Sequence, residues 1–375
     1  MSKGPRILVV GCGGIGGIVT ANLAFQGLDV TPLTRNELIA DAVNMRGIQT
    51  RGELAVGTVE VDATTSLGKS PSPFDFILLC TQPPQVEEAA AQVAPHLADT
   101  GRLVVFQNGL CELRVAELVG KERVVGGVIA WGASMVEPGI YDRTSAGGFT
   151  LGRLEGPPDE ALETLSRVLE AIGPVTITDE LMGARWSKLA INCAISSLGT
   201  VGGDRLGALM RKRWVRRLAL ETMSETVAVA RAEGVTLRKV SGTLDLDWLA
   251  LTDAERQASV GSAGLVAKHA LLLAVGTRYR RLRSSMLNAI ERGRPPAVDF
   301  LNGEVVTRGE THGIATPINA ALLAAVWAIA KGEQRASHDT LEALYRGTRD
   351  TVVAPAAHPA SEPAPDEIRA DADAL

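Results

Sequence analysis

The stretch ILVVGCGGIGGIVTANLAFQGLDVTPLTR, residues 7–35, decides the architecture. It opens on a short aliphatic run met at once by glycines, the pattern of a parallel strand buried on both faces. IGGIVTANLAFQG (15–27) reads as a helix closed by Gly27, and DVTPL (29–33) as a second strand. Between strand and helix, Gly11-Cys12-Gly13-Gly14-Ile15-Gly16 matches G-x-G-x-x-G. The first glycine makes a tight turn, the second lets backbone approach a pyrophosphate, and the third lets helix and strand pack closely. The helix N-terminus adds free N–H groups and a positive dipole end. In this strand–turn–helix setting, residues 11–16 predict a dinucleotide site.

The end of the second strand would meet the adenosine ribose. An acid there accepts from the 2′-hydroxyl of NAD and repels a 2′-phosphate. The chain instead reads Leu33-Thr34-Arg35-Asn36. Arg35 offers a planar cationic fork suited to phosphate, with Thr34 and Asn36 as further hydrogen-bond partners. The expected cofactor is therefore NADP(H).

Beyond this stretch, DFILLC (75–80), RLVVFQN (102–108) and RVVGGVIA (123–130) read as further buried strands, with helices between them. Residues 47–61 alternate like extended segments, and near 138–152 glycine-punctuated pieces suggest an antiparallel addition. From about 178 the chain turns helical, with a long amphipathic helix near 213–233 stopped by Gly234 and others expected over 253–275, 298–312 and 316–331. The predicted fold is an α/β N-terminal Rossmann-type doubly wound parallel sheet followed by an all-α C-terminal domain. The boundaries expected are 1–178 for the NADP-binding domain, 179–335 for a helical substrate and dimerisation domain, and 354–375 for a disordered tail. APAAHPASEPAPDEIRADADAL holds too little apolar surface to offset the entropy of ordering.

Composition narrows the function. The 375 residues are 46% hydrophobic and 4% aromatic, enough for two packed cores built on small side chains. A net charge of −5 gives no electrostatic case for nucleic acid. The basic clusters RKRWVRR (211–217) and RYRRLR (278–283) read as solvated helix faces, with a role near a phosphate or an acidic substrate as the alternative. Cys12, Cys80, Cys111 and Cys193 form no CxxC pair, so neither structural zinc nor a disulfide framework is expected and reduced core thiols are. No metal is called for. The N-terminus carries no signal-peptide pattern, and apolar runs such as 318–330 are too short to span a bilayer, so a cytoplasmic protein is expected.

Three segments carry the chemistry. Phe106-Gln107-Asn108-Gly109 closes a predicted strand at the carboxyl edge, where open α/β sheets bind ligands. In Trp186-Ser187-Lys188-Leu189-Ala190-Ile191-Asn192-Cys193, Lys188, Asn192 and the later Ser196 lie four apart on one helix face. Ser284-Ser285-Met286-Leu287 is followed by Val298-Asp299-Phe300-Leu301-Asn302-Gly303 and His312-Gly313-Ile314-Ala315-Thr316-Pro317.

Taken in order, GCGGIG, the Thr34-Arg35 pair, QNG, WSKLAINC, SSML and VDFLNG…HGIATP resemble the ketopantoate reductase (2-dehydropantoate 2-reductase) family over most of residues 6–332. The resemblance implies a Rossmann domain and a helical domain with the active site in the cleft between, and reduction of the 2-oxo group of ketopantoate by NADPH on the route to pantothenate. It implies that Gly11 to Gly16 hold the pyrophosphate, Arg35 the 2′-phosphate, and Asn108 the cofactor and reacting region. Lys188 then protonates the developing alkoxide, Asn192 and Ser285 bind substrate, Ser196 takes a second amide position, and Gln82 stands at a lysine-like cofactor position. A cationic donor suits an oxygen that gains charge as hydride reaches its carbon. His312 is expected to be structural. The resemblance and the long apolar helices also lead us to expect a homodimer.

The chain departs from the family at several pocket positions. Asn288-Ala289 stands for Gln-Asp after SSML, Ala297 for a glutamate, Gln82 for the lysine-like residue and Ser196 for an asparagine. The segment 206–284 is longer than in compact members. A site that loses groups pairing a substrate hydroxyl loses affinity strongly. A different 2-oxo acid or ketone, and a non-catalytic NADP(H)-binding sensor, are therefore further readings of the same chain. An opine-type dehydrogenase would need a histidine-centred site that has no clear counterpart.

Overall fold

The computed structural model describes residues 4–68, 73–240, 244–257 and 261–353. The expected tail at 354–375 lies outside them. The N-terminal half runs β1 (Ile7–Val10), α1 (Gly14–Phe25), β2 (Val30–Leu33), α2 (Glu37–Arg46), β3 (Ile48–Gly52), β4 (Thr58–Val59), β5 (Phe74–Leu79), α3 (Val86–Val93), β6 (Leu97–Val105), α4 (Cys111–Val119), β7 (Val124–Ile129), β8 (Ala133–Glu137), β9 (Ile140–Arg143), β10 (Phe149–Arg153), α5 (Glu160–Leu169) and β11 (Val175–Ile177).

Seven strands form the main sheet in the order β11-β10-β7-β6-β5-β1-β2. The five from β2 to β7 are mutually parallel, β10 pairs antiparallel with β7, and β11 runs parallel to β10. Separate clusters of buried side chains cover its two faces, which is why β1 reads as an unbroken aliphatic run. Each such fully buried side chain contributes roughly 1.5–3 kcal/mol relative to an exposed one.

A second sheet, of order β4-β3-β9-β8, was read from sequence only as extended and antiparallel pieces. It packs on the outer side of α1. That explains why Gly16 to Leu23 are all buried and why the helix lacks a polar stripe. A Cβ on Gly17 would sit 2.4 Å from the Tyr141 ring of β9, and the Tyr141 hydroxyl donates to the Cys12 carbonyl at 2.9 Å. The second sheet thus braces the glycine loop from outside.

The C-terminal half is helical: α6 (Leu181–Gly202), α7 (Leu206–Arg211), α8 (Arg213–Ala232), α9 (Leu246–Leu249), α10 (Asp253–Gln257), α11 (Ala263–Arg278), α12 (Ser285–Glu291), α13 (Asn302–Thr311), α14 (Pro317–Ala330) and α15 (His338–Val353). Helices α6 and α8 form the centre of its core. The expected helix over 253–275 is two helices, and the one over 298–312 opens with a short 3₁₀ turn at 298–300 before α13. Helix α15, beyond the expected boundary at 335, packs on α6 and α14 through the fully buried Leu341.

A buried polar chain ties this core together. Ser197 donates to Asn302 Oδ1, Asn302 Nδ2 to Asn319 Oδ1 at 2.9 Å, and Asn319 Nδ2 to Glu225 at 2.7 Å. Glu225 also accepts the Ile318 and Asn319 N–H groups, each at 2.9 Å, and so caps the start of α14. Burial pushes its carboxyl up to about 7, while these donors pull the other way. Within HGIATP, His312 lies 2.8 Å from Glu233, a structural contact. The RKRWVRR segment is not simply a solvated face: Arg217 is buried, paired with Glu221 and donating to the carbonyls of Glu255 and Arg256.

Candidate active site

The glycine loop sits at the carboxyl end of β1, and its glycines do different work. A Cβ on Gly16 would lie 1.8 Å from the Gly11 carbonyl oxygen, and one on Gly14 would lie 2.6 Å from the Ala133 carbonyl of β8. These two allow packing. Gly11 turns the chain at φ +97°, with Thr81 N 3.0 Å from where its Cβ would stand. Gly13 is exposed, and a Cβ there would meet nothing within 4 Å. Gly13 also precedes α1 without any side-chain cap, so the first N–H groups of the helix have no side chain to satisfy them. Cys12 is buried with its thiol pushed up to about 12 by desolvation, so it contributes backbone rather than sulfur chemistry. Ile15 packs against the sheet core.

At the end of β2, Arg35 is exposed and pairs with Glu88 of α3 at 2.9 Å and with Gln92 at 3.3 Å. Thr34 and Asn36, expected as phosphate partners, also serve the backbone. Thr34 accepts the Asn36 N–H at 3.3 Å, and Asn36 caps α2 by accepting from Ile39 at 3.3 Å. Gln82 is exposed and leads into a 3₁₀ turn at 83–85.

The second half of the site gathers where β6 and β7 end. Asn108 follows β6 and is exposed. Gly109 takes φ +95°, and a Cβ on it would stand 2.3 Å from the Phe300 carbonyl, so the helical half closes on this turn. Helix α6 brings Lys188 to the end of β7, where its ammonium donates to the Ile129 carbonyl at 2.8 Å. The side chain keeps partial exposure, but its charged end is enclosed. Burial pulls Lys188 down to about 7, Arg185 acts in the same direction, and Glu112 opposes them. One turn on, Asn192 Nδ2 is buried with no hydrogen-bond partner. An amide donor left unpaired beside a desolvated ammonium is a ready place for an anionic or carbonyl oxygen.

Ser196, a further turn along, is half-buried, and its carbonyl accepts from Thr200 and Ser284, each at 2.8 Å. Ser284 is the structural serine of SSML: it is buried, bonds Thr200 at 2.8 Å and caps α12. Ser285, the expected substrate position, is the exposed neighbour. Ala297 is half-buried beside the Gly109–Phe300 contact and has no polar side-chain atom to offer. Two buried charged residues escaped the sequence reading, Arg185 and Glu112, which lie 3.0 Å apart. The available signal was a charge three residues before Lys188 in an otherwise apolar turn.

The model of the family described as ketopantoate reductase PanE/ApbA matches residues 7–156, and its C-terminal counterpart matches 180–330. The chain belongs to the ketopantoate reductase family. A 2-dehydropantoate 2-reductase of Pyrococcus horikoshii is 27% identical over 332 residues, covering 88% of this chain and 97% of the relative. One from Vibrio cholerae is 30% identical over 254 residues, covering 66% and 75%. A PanE/ApbA family ketopantoate reductase crystal structure from Ralstonia eutropha superposes with a TM-score of 0.73 at 25% identity, covering 88% of this chain and all of that one. Membership makes the chain an oxidoreductase of the kind acting on CH–OH groups, on a fold that joins a parallel-rich sheet to a helical half. Among the described residues no helix is long and apolar enough to cross a membrane.

Proposed function

We propose that the protein reduces a 2-oxo acid with NADPH, with 2-dehydropantoate as substrate and pantoate as product. The observation that carries this is the pairing on α6 of a desolvated Lys188 ammonium, at the Ile129 end of β7, with the unpartnered donor of Asn192 one turn away. The residues present suit a dinucleotide: open space at Gly13, uncapped N–H groups at α1, and an arginine in place of an acid after β2. In this reading Arg35 turns from Glu88 to a 2′-phosphate, which favours NADPH over NADH.

When bound, the reduced nicotinamide supplies the hydride. Lys188 donates its proton to the substrate oxygen as negative charge develops there, which both stabilises and neutralises the alkoxide. A lysine near 7 is matched to this task, because enough ammonium is present at neutral pH and its proton leaves readily. Asn192 and Asn108 orient the substrate by hydrogen bonds, with Ser285 and Ser196 at the margin. The fully buried Trp186 and Leu189 pack the rest of this turn of α6 into the helical core.

A second reading is supported by Ala297 and Ala289, which offer no polar side-chain atom where the resemblance places a glutamate and an aspartate. It keeps the reaction and changes the substrate to another 2-oxo acid. The test is to incubate the enzyme and NADPH with ketopantoate and with a panel of 2-oxo acids, and identify the products by mass spectrometry. Pantoate formed at the highest kcat/KM supports the first reading. A higher value for another acid selects the second, and no product from any acid overturns both.

A further inference from the structure

Arg185 and Glu112 form an ion pair that the reaction as described does not use. Arg185 Nε lies 3.0 Å from Glu112 Oε1, with the two side chains 1% and 0% exposed. Arg185 Nη1 donates to the Gln107 carbonyl at 2.8 Å, and Nη2 to the Val105 carbonyl at 2.6 Å. Those carbonyls end β6 and lead directly into Asn108, while Glu112 stands in the first turn of α4 just beyond. Arg185 is three residues before Lys188 on α6, on the same face of the helix. An apolar pair of equal volume would hold such a place at least as stably, so stability alone is a weak reason for two buried charges.

We propose that Arg185 and Glu112 are a positioning pair for Lys188: Arg185 clamps the Lys188 turn of α6 to the Asn108 end of β6, and the two opposed charges set how readily Lys188 releases its proton. The proposal rests on the reading of Lys188 as proton donor. The charges that act on Lys188 are Arg185 from its own helix and Glu112 from α4. Glu112 is itself faced by Arg185 and, from α13, by Glu304 and Arg308. Glu304 and Arg308 pair with each other at 2.8 Å, and Glu304 also pairs with Arg114 at 3.0 Å. Burial holds the Glu112 carboxyl above the usual carboxylate range, and the Arg185 guanidinium 3.0 Å away opposes that rise.

The two halves of the pair act on Lys188 with opposite signs, which separates tuning from mere scaffolding. Replacing Arg185 by an apolar isostere removes a cation and raises Lys188; replacing Glu112 by its amide removes an anion and lowers it. The experiment records kcat against pH for ketopantoate and NADPH in the wild type, Arg185→Met, Glu112→Gln and Arg185→Lys. In parallel, acetic anhydride labelling of Lys188 against pH, read by peptide mass spectrometry, reports the free amine without turnover. The expected alkaline limb moves up by about one pH unit in Arg185→Met and down by a similar amount in Glu112→Gln, roughly tenfold in rate at fixed pH. Arg185→Lys keeps the limb near the wild-type position but lowers kcat, because it loses the fork to the Val105 and Gln107 carbonyls. If Arg185→Met does not fold, Glu112→Gln and Arg185→Lys carry the comparison. Limbs and labelling curves that stay together while kcat falls would overturn the proposal. Opposed labelling shifts without turnover of ketopantoate would support the pair and remove the reductase reading.

Discussion

Gly13 stands just before α1 and Gly16 in its first turn, yet the structure gives them opposite fates on substitution by alanine. Gly13 holds φ −78° and ψ −164°, open to any residue, and a Cβ there would meet no protein atom within 4 Å. As the residue before α1 it loses about 0.5–1 kcal/mol as alanine, a poorer N-cap than glycine, and the lower entropy of the unfolded chain offsets this by about 0.4–1 kcal/mol. The apo protein should melt where the wild type does. With a dinucleotide bound, the same methyl occupies the approach of the pyrophosphate. Losing about two charge-assisted hydrogen bonds at roughly 1.5 kcal/mol each weakens NADPH by about 100-fold. At a ligand concentration about 100 times the wild-type Kd, NADPH stabilises the wild type by about 2.7 kcal/mol; the variant then sits at its own Kd and gains only about 0.4 kcal/mol. In a melt of a 375-residue chain that is about 3–4 °C against less than about 1 °C. Gly16→Ala forces a Cβ to within 1.8 Å of the Gly11 carbonyl, so it should lose about 1–3 kcal/mol of apo stability before any ligand is added. Differential scanning fluorimetry of both variants with and without NADPH reads all four states. A Gly13→Ala protein that keeps the full NADPH shift, or whose apo form melts as early as Gly16→Ala, refutes the assignment of Gly13 to the cofactor.

Other consequences can be checked in the same preparations. Arg35→Ala should raise the KM for NADPH by about tenfold while leaving NADH nearly unchanged, and Glu88→Ala, which frees Arg35 from its 2.9 Å partner, should tighten NADPH; steady-state kinetics with both nucleotides decides. Asn192→Ala removes a buried donor that has no partner in the protein, so its melting temperature should fall by no more than a few degrees while kcat/KM for the 2-oxo acid drops by about 30-fold. Glu225→Gln leaves one of the two N–H groups at the start of α14 facing an amide N–H₂; calorimetry should show a loss of about 2–3 kcal/mol with no change in KM for NADPH.

The path from sequence to site was uneven, for physical reasons. Strand β1, the glycine loop and α1 were legible because glycine geometry and an aliphatic run leave one reading. Lys188 and Asn192 were legible because four-residue spacing puts them on one face of α6. The second sheet was not, because β3, β4, β8 and β9 are short and signal only as broken alternation. Its trace is the apolar surface all round α1, which has meaning only once a partner for the outer face is known. Ser284 and Ser285 show the same limit: adjacent serines look alike in sequence, and the cap on α12 with the bonds to Thr200 and Ser196 makes the first structural. Thr34 and Asn36 suit phosphate by their side chains, and their local use at the start of α2 is a second role that residue type alone does not reveal. Arg185 and Glu112 were missed because a buried ion pair between distant segments leaves no periodic signal.

The measurement that most directly tests the central claim is the rate of NADPH oxidation with ketopantoate across pH, for the wild type and Lys188→Ala, with NADH alongside. Lys188 is held near 7, and in the proposed reaction its ammonium form is the proton donor. Reduction should therefore be fast below about pH 7, fall about tenfold per unit above it, and prefer NADPH. In Lys188→Ala it should drop by about 10²–10⁴-fold and lose that limb. A Lys188→Ala enzyme that turns over at the wild-type rate with the same pH profile would contradict the account.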